Sequence, residues 1–92
     1  MKELLEALEE FEREMEPEGW TFNLGTRWKP TVRLYRNVRV INAKGQVKDD
    51  VVTGYGTSDD KAFAFREAMR SARDNEVAWA EKVRNEGYEP QS

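Results

Sequence analysis

Two pairs of adjacent carboxylates, Asp49-Asp50 and Asp59-Asp60, come closest to a chemical site in this sequence. Carboxylate oxygens are the ligands that Ca²⁺ and Mg²⁺ prefer. However, neither pair has EF-hand spacing or a phosphate-binding glycine loop beside it. The chain contains no histidine and no cysteine, so the commonest general base, the thiolate nucleophile and the usual zinc ligands are missing. We therefore predict no enzyme, no metal site and no cofactor.

A second kind of chemistry is binding through cationic and aromatic side chains on one strand. Between residues 32 and 41, apolar side chains fall on one parity, and the opposite parity carries a polar set. Guanidinium groups beside an aromatic ring can bind phosphates and a stacked base, or an acidic protein surface. The alternative is an ordinary solvated face whose arginines oppose edge pairing. The candidate partner-binding residues are Arg33, Tyr35, Asn37 and Arg39, joined by Arg27 at the end of the preceding strand.

The charges are segregated along the chain. Residues 1–18 carry eight glutamates against two basic residues, a net charge of −6. Residues 19–57 carry seven basic and two acidic residues, a net charge of +5, and residues 58–92 carry six basic and eight acidic residues, a net charge of −2. The total of −3 therefore conceals a basic sheet between acidic helices.

Apolar periodicity predicts the first helix over residues 2–16. Leu4, Leu8, Phe11 and Met15 form one stripe, and Pro17 ends the helix. Its glutamates have two interpretations. They imitate a phosphate backbone, as in some inhibitors, or they form a solvated face that partly neutralises arginines 66, 70 and 73 of the last helix.

Alternating patterns predict three strands. The first follows Gly19, a loop separates it from the second at residues 28–31, and the third covers about residues 47–55. The turn at residues 42–45 ends in Gly45, which adopts positive φ readily. The strands therefore form an antiparallel meander.

The last helix is predicted over residues 59–85. Ser58 is placed as its N-cap, and Asp59-Asp60 favours the positive helix end. A kink or break is plausible at Asp74-Asn75, because both residues are poor helix formers. Gly87 is placed after the helix, and residues 87–92 are expected to be a frayed tail.

Residues 1–92 are thus predicted to form a single α+β domain with the order α-β-β-β-α. Its three-stranded antiparallel sheet carries both helices on one face, so the other face is left to solvent or to a partner. No stretch is apolar enough to cross a membrane, and we expect a cytoplasmic protein.

The segment Gly54-Tyr55-Gly56-Thr57-Ser58 with Ala62 resembles the last strand–helix junction of double-stranded RNA-binding domains, which share the α-β-β-β-α order. The family's two RNA-contacting lysines correspond to Asp59 and Asp60 here, which reverses the charge. The resemblance implies the fold and argues against duplex-RNA binding of the family type.

The sequence supports three functional hypotheses. The first is a non-enzymatic binding module whose basic sheet face contacts a nucleic acid or, as we favour, a protein or nucleoprotein complex. The second is a phage-encoded inhibitor of a host defence complex, of the anti-CRISPR type, acting by protein contact or phosphate mimicry. The third is a designed or fold-only protein with no partner. A monomer and a strand-paired dimer are both compatible with the sequence.

Overall fold

The fold is an antiparallel sheet with two helices on one face. A computed structural model describes residues 2–25 and 29–91. The elements are α1 (Lys2–Glu14), a 3₁₀ turn (Glu16–Glu18), β1 (Thr21–Gly25), β2 (Thr31–Asn42), β3 (Val47–Thr57), α2 (Lys61–Asn85) and β4 (Tyr88–Gln91). The predicted α-β-β-β-α order and the placement of both helices are confirmed, and a fourth strand is added. Arg27 and part of the loop predicted at residues 28–31 lie outside the described residues.

The sheet is ordered β1-β2-β3, and β4 pairs with the same edge of β2 as β1 does. β1 pairs with β2 from Thr31 to Tyr35, and β4 pairs with it from Arg39 to Asn42. β3 pairs with β2 along almost its whole length. Among the described residues, the segment from Arg36 to Val38 is therefore paired on one side only, which leaves a notch between β1 and β4.

The fourth strand corrects the expected frayed tail. Gly87 turns the chain at φ 87° after α2, and Tyr88–Gln91 then returns along β2. Pro90 is compatible with this edge position, because the edge strand needs no N–H donor on its outer side. The segment forms a strand because it satisfies backbone groups of β2 that β1 is too short to reach.

α2 is continuous from Lys61 to Asn85, so no break occurs at Asp74-Asn75. The Asn75 side chain donates a hydrogen bond to the carbonyl of Thr53 at 2.8 Å, and this contact offsets its low helix propensity. The N-cap is Asp60 rather than Ser58. The Asp60 carboxylate accepts from the amides of Ala62 and Phe63, and the Ser58 hydroxyl accepts from the amide of Asp60.

The core lies between the helices and the sheet. Phe11 of α1, Phe22 of β1 and Phe65 of α2 meet edge to face, with ring centroids 5.2 to 5.5 Å apart. Even-numbered residues of β2 and β3 face this core, including Val32, Leu34 and Val52. None of the described helices is both long enough and apolar enough to cross a membrane.

Candidate binding face of the sheet

The side of the sheet opposite the helices has no cover among the described residues, and we call it the open face. It is formed by the odd-numbered residues of β2 from 33 to 41 and of β3 from 47 to 57. β1 and β4 extend it with residues 21, 23, 89 and 91. Four of the predicted site residues lie on it together in β2: Arg33, Tyr35, Asn37 and Arg39.

Arg39 is already engaged on this face. Its Nε donates to the Asp49 carboxylate of β3 at 2.9 Å, and the two residues are direct cross-strand neighbours. Both side chains are largely exposed, so water screens the pair and its net stabilisation is about 0–1 kcal/mol. Arg39 is therefore a weaker attractor of a second anion than a free arginine would be.

Arg33 lies in a different environment, between Asn23 of β1 and Tyr55 of β3. Both Arg33 and Tyr55 are exposed, the tyrosine to 57%. Within residues 2–25 and 29–91, no carboxylate forms an ion pair with Arg33. Its guanidinium is thus presented to solvent beside an aromatic ring.

β3 contributes apolar surface that the sequence interpretation missed. Val47 and Val51 are 51% and 47% exposed, and they are paired with Ile41 and Asn37 of β2. The signal was present in the sequence, since positions 47, 51 and 55 share the parity of the open face. The interpretation concentrated on charge and did not assign β3 to the site.

Arg36 lies on the helix-covered face of the sheet, so its positive charge does not contribute to the open face. It has the parity of the core-facing residues. Its Nη1 lies 3.0 Å from Glu76 of α2, and its guanidinium carbon lies 5.8 Å from the ring centroid of Trp20. Two basic residues, Arg33 and Arg39, and two acidic residues, Asp49 and Glu89, remain on the open face. These described charges sum to zero, although the segment 19–57 is strongly basic.

The arginines of α2 have different partners. Arg73 pairs with Glu18 and Glu76, and the hydrogen bond to Glu18 raises its pKa above the ordinary value. It also donates to the Glu14 carbonyl at 3.1 Å. Arg66 approaches Glu10 at 3.8 Å, whereas Arg70 pairs within α2, with Glu67. The predicted neutralisation by the acidic segment therefore applies to Arg66 and Arg73.

The first helix also keeps an exposed acidic side. Glu3, Glu6, Glu9 and Glu12 are exposed, and among the described residues none of the four takes part in an ion pair. Glu10 and Glu18 instead face basic groups of α2. The solvated-face interpretation therefore holds for part of the acidic segment, and phosphate mimicry by the exposed glutamates stays a prediction.

One aspartate of each predicted pair, Asp50 and Asp60, has a structural role. The Asp50 carboxylate accepts from the indole N–H of Trp79 at 2.9 Å and from the Val51 amide at 2.9 Å. Both bonds lower the pKa of Asp50, and the bond from Trp79 has the larger effect. Asp60 caps α2. In the described part of the chain, no three acidic side chains converge as a metal site requires.

The notch between β1 and β4 is an open depression next to the open face. Its walls include Glu18, Arg36, Val38 and Gln91. Glu18 and Arg36 already have ion-pair partners on α2. The notch therefore offers a polar surface whose strongest charges are compensated within the molecule.

Comparison of this chain with protein-family models, curated proteins and solved structures finds no match.

Proposed function

We propose that this protein is a non-enzymatic binding module whose open face docks on another protein, either free or within a nucleoprotein complex. The observation that carries the proposal is the exposure of Tyr55 directly beside Arg33, together with exposed Val51 further along the same face of β3. Arg33 has no ion-pair partner among the described residues. Aromatic residues and arginine are enriched where proteins bind each other. Exposed apolar side chains near the Arg33 guanidinium, which no described carboxylate pairs, fit a protein surface that presents apolar groups and a carboxylate.

The charge of the face favours protein over nucleic acid. Nucleic-acid affinity depends mainly on the number of phosphates that basic residues neutralise. Among residues 2–25 and 29–91 the open face has two arginines, and Arg39 is already paired with Asp49. The net charge of the chain is −3, which adds long-range repulsion of a polyanion.

Affinity capture with three baits tests the proposal. The wild-type protein is compared with Val51→Arg on the open face and with Val77→Arg on α2. Val77 is a matched control because it is an exposed valine, at 69%, on a helix. We expect a protein set that the wild type and Val77→Arg retain and that Val51→Arg loses. Identical capture by all three baits contradicts the proposal.

Fluorescence anisotropy with labelled RNA and DNA oligonucleotides at low salt forms the second arm. We expect no binding that depends on Arg33. Single-strand binding that Arg33→Glu abolishes would identify a nucleic acid as the partner and would contradict a protein partner.

A second candidate function is an inhibitor, of the anti-CRISPR type, that imitates phosphates through α1. The exposed glutamates 3, 6, 9 and 12 favour it, because no ion pair among the described residues neutralises them. Such an inhibitor would compete with nucleic acid for a nucleoprotein, and Glu6→Lys combined with Glu9→Lys would abolish the competition. Competition that survives this double substitution excludes α1 as the mimic.

A further inference from the structure

The open face has a charge distribution that is complementary to itself. Arg33 lies near one end of β2, next to β1, and Glu89 lies beside Ile41 near the other end. Eight residues of β2 separate these two levels, which corresponds to about 26 Å along an extended strand. Asn37 and Val51 lie midway, directly opposite each other on β2 and β3.

A two-fold axis that crosses the strands at the level of Asn37 would place two open faces in antiparallel contact. The end that carries Arg33 on one copy then faces the end that carries Glu89 on the other. β1 and β4 flank the same edge of β2, so Glu89 of the second copy lies over β1 of the first. Arg33 is one strand away, about 4.8 Å laterally, which an arginine side chain spans easily.

The same two-fold rotation also brings apolar side chains of the two copies into contact. Tyr55 shares the level of Arg33, and Val47 shares the level of Ile41. In the antiparallel arrangement Tyr55 of one copy packs over Val47 of the other, and Val51 packs over its own symmetry mate. A two-fold axis along the strands would instead bring Arg33 onto Arg33, which like-charge repulsion disfavours.

The molecule is elongated and thin, so a large part of its surface is the open face on which a second copy can pack. Its principal extents are 50 × 26 × 16 Å, and its radius of gyration is 14.9 Å, whereas a compact chain of this length has about 12 Å. The face spans about eleven residues by three strand positions, about 500 Å² per copy. Two copies bury about 1,000 Å², the lower limit for a specific interface, so weak association is expected.

The outer edge of β3 is a less suitable contact for a second copy than the open face. α2 covers the outer edge of β3, where Ser71 accepts from the Tyr55 amide and Asn75 donates to the Thr53 carbonyl. An incoming strand would have to break both hydrogen bonds. Face-to-face packing leaves them intact.

We infer that two copies of this chain associate through their open faces about a two-fold axis near Asn37, with Arg33 of each copy opposite Glu89 of the other. This inference rests on the proposed function, since it assigns a partner to the same face. In this weak dimer the docking surface is covered by a second copy until another protein displaces it. The dimer then has four layers, in the order helices, sheet, sheet, helices.

Sedimentation velocity at protein concentrations from about 10 µM to 1 mM tests the pairing of Arg33 with Glu89, because the charges of the two residues can be exchanged by substitution. We expect a reversible dimer with a dissociation constant of roughly 10–500 µM for the wild type, in line with the small interface. Arg33→Glu and Glu89→Arg should each weaken the dimer about tenfold. The double variant, which recreates the pair with reversed charges, should recover to within about threefold of the wild type.

Arg70→Glu, on an exposed part of α2 outside the face, is the control and should leave the dissociation constant unchanged. A wild type that stays monomeric at 1 mM overturns the inference. So does a dimer that the single substitutions leave intact, or a double variant that is not restored. A monomeric protein that still loses its captured proteins with Val51→Arg would refute the dimer and leave the proposed function standing.

Discussion

Glycine at positions 54 and 56 sets how closely α2 approaches the sheet. A Cβ on Gly54 would lie 2.5 Å from the Ala68 carbonyl oxygen, and a Cβ on Gly56 would collide with the Ala64 carbonyl. These carbonyls belong to the helix backbone and cannot move aside as a flexible side chain can. The glycines of the strand–helix junction are therefore explained by packing.

Gly56→Ala is expected to reduce the free energy of unfolding by roughly 3 kcal/mol, because the added methyl group forces helix and strand apart. Urea denaturation measures the loss. Gly25→Ala is the matched control, since its Cβ would meet only Thr31, at 3.9 Å, and a change within about 0.5 kcal/mol is expected there. Equal losses in the two variants would contradict a close approach at Gly56.

Trp79 lowers the pKa of Asp50 by donating its indole N–H to the carboxylate. A lowered pKa in the folded state stabilises the protein above the unfolded value of about 3.9. That contribution is lost as the pH falls through the folded pKa. Trp79→Phe should therefore raise the Asp50 pKa, although not fully, because the Val51 amide still donates. NMR titration of the side-chain carboxyl carbon checks this, and an unchanged pKa contradicts it.

At the scale of elements, α2 protects the free edge of β3 through side chains spaced four residues apart. Ser71, Asn75 and Trp79 recur at i, i+4 and i+8, so they lie on one side of the helix. They contact the Tyr55 amide, the Thr53 carbonyl and the Asp50 carboxylate in turn. Because these side chains occupy the Tyr55 amide and the Thr53 carbonyl, they oppose the pairing of another strand with this edge of β3.

Ser71→Ala should accelerate hydrogen exchange of the Tyr55 amide roughly fivefold to tenfold, because removal of one hydrogen bond costs about 1 kcal/mol. NMR-detected exchange measures the rate. The neighbouring Gly54 amide is the internal control, since alternation along the strand directs it toward β2. Equal acceleration at both amides would indicate general destabilisation and would contradict a local contact.

The elements with their own periodicity could be predicted from the sequence. The stripe that includes Phe11 and Met15, the turn at Gly45 and the parity of β2 are local patterns, and the structure confirms them. β4 could not be predicted, because Tyr88-Glu89-Pro90-Gln91 has no apolar alternation and forms a strand only against the edge of β2. Asp60 was missed as the cap because Ser58 and Asp59 have similar capping preferences.

The candidate site was predictable only in part, for a similar reason. Alternation in β2 placed Arg33, Tyr35, Asn37 and Arg39 on one face, but it could not show that Arg39 is paired with Asp49. Nor could it show that Arg36 stacks against Trp20 beneath the sheet. Cross-strand register decides both, and register depends on the assembled sheet.

At the scale of the whole molecule, the protein is a thin, elongated sheet-and-helix layer with one face left open. Backbone groups on the outer edge of β3 are bonded to α2, whereas Tyr55, Val51 and Arg33 face outward on the open face. We propose that partners of this protein, including a second copy, dock on the open face.

Site-specific photo-crosslinking in the native cells tests this claim most directly. A photoreactive benzoylphenylalanine is placed either at Asn37, in the middle of the open face, or at Val77, on the exposed side of α2. We expect adducts from position 37, at twice the mass of the chain for a second copy or at another mass for a different protein, and none from position 77. Adducts from position 77 with none from position 37 would contradict the proposal.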